Sequence, residues 1–223
     1  TGSIAFTVQA TRPGTATFRI AGQRVQIAVK TSDTVTALAT KLETAVNADK
    51  QLPVTAVAAL GVVTLTARWA GETGHAIDVR YGYFKDGEQP SGLAVTITAM
   101  ATGATNPDVT DAIAAMDALE TYDTFVNPYT DTNNLDVLEA ELADRFTATR
   151  AVDGVAFSAF AGTYANSATL ADGRNSPFTQ LCLPGLTPTA PWEVAAAMAG
   201  VTTYADGTEP GRPYQTLALD GVQ

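Results

Sequence analysis

A single histidine, His75, and a single cysteine, Cys182, limit the nucleophilic chemistry open to this chain. A catalytic imidazole needs a nucleophile and an orienting acid within hydrogen-bond reach. His75 follows Gly71-Glu72-Thr73-Gly74, where an exposed turn histidine is expected. Cys182 lies between Leu181 and Leu183, the setting of a buried, inert thiol; a reactive thiolate needs a polar, electropositive niche. Ser176, in Arg174-Asn175-Ser176-Pro177, lacks the G-x-S-x-G elbow of α/β-hydrolases. A hydrolase built on Ser176 or Cys182 would have to borrow His75 from the other half of the chain. The expectation is no enzyme and no catalytic residue.

Metal and phosphate chemistry are equally poorly served. Asp131-Thr132-Asn133 begins like a calcium loop, yet Leu135 and Leu142 fill the fifth and twelfth positions, where oxygen ligands belong. Those residues read as a helix cap. The run from Asp108 to Asp144 holds ten acids and no base, which suits a solvated helical face or an interface for a basic partner. A structural zinc site takes about four ligands, mostly Cys and His, and no P-loop or G-x-G-x-x-G occurs. No cofactor or metal is expected. A lone cysteine forms no internal disulfide, so a cytoplasmic or virion-like setting fits better than a secreted one.

The 223 residues carry a net charge of −10, which argues against nucleic acid as a partner. The charge is uneven. Residues 1–103 hold nine lysines and arginines against seven acids; residues 104–223 hold four arginines, no lysine and sixteen acids. The change from +2 to −12 predicts a domain boundary near Thr102-Gly103. No apolar run approaches the roughly 20 residues that span a bilayer, and no signal peptide is recognised. Because the chain opens on Thr1, it reads as a piece of a longer protein.

Residues 1–103 read as a β-rich module with one helix. Ile4, Phe6 and Val8 alternate, as do Val25, Ile27 and Val29, with a strand at Ala16–Ile20 between them. Val35, Leu38, Leu42 and Val46 recur at helical steps behind a Ser32 or Asp33 cap. Further strands are expected over 54–58, 62–68, 76–84 and 93–100. Residues 104–223 read as alternating helix and strand. A helix capped by Asn106 with Pro107 in its first turn buries Val109, Ile113, Met116 and Leu119. A strand at 124–126 follows, then a helix lined by Leu135, Leu138, Leu142 and Phe146. Strands at 152–160 and 178–183 flank a short helix near 165–171, and a last helix opens at Thr189. Such alternation predicts a doubly wound parallel sheet.

Several segments together resemble one family. Residues 34–42 (TVTALATKL), 52–56 (LPVTA) and 63–68 (VTLTAR) are similar to the inserted domain of Mu-like contractile-tail sheath proteins. Residues 104–108 (ATNPD), 127–131 (NPYTD), 138–145 (LEAELADR), 173–177 (GRNSP), 191–193 (PWE) and 212–222 resemble its continuation into the sheath core. The resemblance implies a β-rich inserted outer domain (1–103) and part of an α/β core of subtilisin-like fold (104–223), without proteolysis. It implies a subunit polymerising helically around a tail tube, with neighbouring sheath subunits, tube, baseplate and tail terminator proteins as partners. Contraction would drive the tube through a host envelope. The place is the virion tail, after assembly in the host cytoplasm. Family members are longer at both ends, where extensions reach neighbours, so this chain alone is expected to be mostly monomeric. The alternative reading is a carbohydrate- or surface-binding module that stacks sugars on Trp69, Tyr81 and Tyr83.

Overall fold

The computed structural model describes residues 1–116, 122–209 and 211–222. It divides into two compact units, Thr1–Thr105 and Asn106–Gln223, and combines several sheets with five helices among the described residues.

The first unit contains β1 (Gly2–Val8), β2 (Gly14–Ile20), β3 (Gln23–Val29), α1 (Val35–Ala48), β4 (Val54–Ala59), β5 (Val62–Ala67), β6 (Val79–Tyr81) and β7 (Ala94–Thr98). They form two antiparallel sheets, ordered β4-β5-β1-β7 and β3-β2-β6. Two tight hairpins set the register. Ala21-Gly22 and Leu60-Gly61 have positive φ at both central positions, the turn whose twist matches that of paired strands. Ile4, Phe18, Ile20, Leu38, Leu42 and Leu65 are fully buried, and Phe6 meets Phe18 edge-on at 5.9 Å, joining the cores of the two sheets. Helix α1 touches β1, β3, β4 and β5 through its buried Leu38, Ala39, Leu42 and Val46 stripe. The remaining edge strands, β6 and β7, touch each other.

The second unit contains α2 (Thr110–Ala114), β8 (Thr124–Val126), α3 (Thr132–Arg145), β9 (Val155–Ala159), α4 (Tyr164–Asp172), β10 (Thr179–Cys182) and α5 (Pro191–Thr208). Its sheet is parallel, in the order β10-β9-β8. Ala156 packs on Leu138 and Leu142 of α3, whereas Ala159 packs on Val194 and Ala195 of α5. Successive strand residues face opposite sides, so these two helices cover opposite faces. The three strands advance in one direction, so the described sheet lacks the order reversal that the doubly wound expectation requires.

Several expected boundaries move, each for a local reason. Val8 is exposed because the β1–β7 register shifts after Phe6, a bulge that turns the side chain out. Thr34, not Ser32 or Asp33, caps α1 by accepting from the Ala37 N–H; Asp33 instead accepts from Lys30 N–H and Lys41 Nζ. The expected strand over 76–84 keeps only β6, with 3-10 turns at Glu72–Ala76 and Phe84–Asp86 on either side. Asn106 does not cap α2, which starts at Thr110, because its side chain donates to Asp131 instead. Leu119, expected on that helix, lies outside the described residues. Phe146 is exposed just beyond α3, its ring 5.7 Å from that of Phe178. The last helix follows Ala190 rather than Thr189.

Candidate functional site

The three candidates His75, Ser176 and Cys182 are divided between the two units. His75 sits in an exposed 3-10 turn of the first unit, and its Nε2 accepts the Gly103 N–H at 2.8 Å. It therefore fastens Gly103 to the turn that follows β5, and a Cβ on Gly103 would fall against the Gly71 carbonyl. Ser176 and Cys182 belong to the second unit, so neither unit holds His75 together with Ser176 or Cys182. Ser176 Oγ accepts from the Phe178 N–H. Cys182 is half-buried against Ala159, Val194 and Ala195, and burial pushes its thiol up, away from the thiolate form.

Of the three aromatics expected to stack sugars, Tyr81 and Tyr83 pack against the protein's own groups, whereas Trp69 is 39% exposed. Trp69 Nε1 donates to Thr73 Oγ1 at 2.8 Å. The Tyr81 ring lies 5.1 Å from Phe18, and burial pushes its hydroxyl up. Tyr83 carries the guanidiniums of Arg19 and Arg80 at 5.3 and 5.5 Å. Trp69 and His75 do line a concavity of about 410 Å³, together with Gly71, Met100 and Gly103.

The acidic run is organised by arginines and amides. Among the described residues, no three His, Cys, Asp or Glu side chains are grouped to hold a metal. Asp131 caps α3 by accepting from the Asn134 N–H and also takes Nδ2 donors from Asn106 and Asn134. Asn134, 1% exposed, donates further to the Pro107 carbonyl and accepts from the Val109 N–H. The start of the second unit is thereby stapled to α3. Burial pulls the Asp131 carboxyl up, but these donors outweigh it and leave it below the usual range. Glu141 behaves alike between Arg145 and Arg150. Arg174 bridges Asp136 and Glu139 and lines a groove of about 610 Å³ between α3 and α4.

Side chains cover backbone groups at two sheet edges. In the first unit Asn47 of α1 binds both backbone groups of Ala56 on the outer edge of β4, at 2.8 and 3.0 Å. Lys41 caps the Ala28 carbonyl on the outer edge of β3. A side chain that occupies an edge's backbone groups blocks unwanted strand addition. Sequence patterning missed Asn47, Lys41 and Asn134; a polar residue on or beside an otherwise apolar helix face was the available signal.

Across 220 residues, 99% of its length, the chain is 39% identical to the Mu-like prophage FluMu tail sheath protein of Haemophilus influenzae. The chain is a relative of Mu-like tail sheath proteins. The matched stretch runs through both units, so the relative carries counterparts of both. The chain spans 45% of that relative's length, about half of it. No family model matches the chain. Among the described residues, no helix is long and apolar enough to cross a membrane.

Proposed function

We propose that this chain is the inserted domain and part of the core domain of a contractile tail sheath subunit, a virion structural component rather than an enzyme. The observation that carries this reading is the identity to a tail sheath protein over 99% of the chain. Geometry supports it. Thr1 and Ala101 exchange backbone hydrogen bonds in both directions, at 2.7 and 2.8 Å. Residues 1 and 101 therefore lie side by side, an arrangement compatible with insertion into a longer chain.

In this reading the subunits polymerise helically around a tail tube, meet baseplate and terminator proteins at the ends of the sheath, and assemble in the host cytoplasm. Contraction shortens the sheath by rigid-body rotation of subunits and drives the tube through the envelope. The acidic second unit belongs to the subtilisin-like core near the axis, and the first unit projects outward. The chain on its own is mostly monomeric.

The test is a chimera in which this chain replaces the aligned segment of the Haemophilus relative. A chimera that sediments as a polymer supports the reading. One that folds, as judged by circular dichroism, yet stays wholly in the supernatant under conditions that polymerise the relative contradicts it.

A further inference from the structure

Two observations meet on the outer face of the β3-β2-β6 sheet. The register sets Arg24 opposite Arg19 and Arg19 opposite Arg80, so three guanidiniums stand in one row. Like charges directly opposite one another are destabilising. Asp86, its side chain wholly buried, accepts from Arg19 Nε at 2.9 Å and from Nη2 at 2.6 Å. Asp78 takes Arg80 at 2.6 Å. Arg24 is exposed and forms no ion pair among the described residues.

The second observation is what the buried pair holds in place. A buried ion pair contributes little net stability, and its best-attested use is to specify one arrangement. Here it fixes the turn that carries Phe84, which is 78% exposed. The Tyr83 ring backs Phe84 at 4.4 Å, and the Lys85 ammonium lies 5.7 Å from the Phe84 centroid. An exposed phenylalanine beside the Lys85 ammonium has the composition of a protein-interface anchor, since aromatic side chains are enriched at such contacts.

Charge selects the occupant. The anchor belongs to the weakly basic half of a chain whose other half carries sixteen acids, four arginines and no lysine. Surfaces of opposite sign on one chain are complementary head to tail, and such contacts build open helical polymers when the rotation does not close. We propose that the Tyr83–Lys85 knob, with Arg24 beside it, docks on the acidic 106–223 unit of a second copy of this chain. This deepens the sheath reading and rests on it for the regular repetition of the contact.

The test uses the chimera carrying this chain in the Haemophilus relative, with p-benzoylphenylalanine at position 84, mixed from light and nitrogen-15-labelled preparations and irradiated at low salt. The expected result is light–heavy cross-links whose acceptor peptides fall within 106–223. They should be lost at about 1 M salt, where screening is nearly complete, and fall at least tenfold in a double variant, Arg24→Glu with Lys85→Glu. Both changes are at exposed positions, and an unaltered melting curve verifies the fold. Cross-links confined to one copy, acceptors within the first unit, no cross-links, or cross-links indifferent to charge reversal would each overturn the proposal. Tubes formed by the chimera alongside any of those results would leave the sheath reading standing and remove only this contact.

Discussion

Asn134 shows how much one buried amide can fix. It closes four hydrogen bonds, including the N–H that Asp131 accepts, and joins residues 107 and 109 to the first turn of α3. Removing it deletes the hydrogen bonds to the Val109 N–H and the Pro107 carbonyl, each worth about 0.5–1.5 kcal/mol net. Asn134→Ala should therefore lower the stability of the second unit by about 2 kcal/mol in urea titration, with the first unit's transition unmoved. The carboxyls beside it give a pH dependence of definite sign. Asp131 and Glu141 lie below their usual values when folded, so the folded state binds fewer protons than the unfolded chain. Their stabilisation is complete above the ordinary carboxylate range near about 4 and drains as pH falls through the depressed folded values. Asp131→Asn should flatten that acid limb, and an unchanged limb would contradict the assignment. Of these residues the sequence revealed only the cap at Asp131. Asn106 was misread as a cap of its own, because its true partner lies 25 residues away and leaves no local trace.

At the scale of elements, alternation and helical spacing located most strands and helices, and they failed where a tertiary contact set the outcome. The stretch from Ala76 to Phe84 has the composition of one long strand, yet the chain leaves the sheet after Tyr81 because Asp86 is drawn to Arg19, 67 positions earlier. Val8 continues the apolar alternation of β1 but faces out beyond the bulge. The sealing of sheet edges was likewise hidden, since only the fold brings Asn47 alongside Ala56. That seal is testable. In Asn47→Ala, the Ala56 amide should exchange with solvent at least tenfold faster, while the Leu65 amide keeps its protection. Equal protection of Ala56 in variant and parent would show that Asn47 does not close the edge.

For the whole molecule, composition and charge excluded more than they identified. The chain has one histidine and one cysteine, and the structure places His75 in a different unit from Ser176 and Cys182. Function became legible through segment-by-segment resemblance, and the 39% identity along the chain extends that resemblance over both units. The proposed structural role is consistent with polar clusters that are capped and paired, as in the Asn134 staple and the Arg19–Asp86 pair. The measurement that bears most directly on that role is negative-stain electron microscopy of the chimera carrying this chain in the Haemophilus relative. The account predicts tubes of uniform width with a helical repeat. Discrete particles or shapeless aggregates, under conditions in which the parent relative builds tubes, would contradict it.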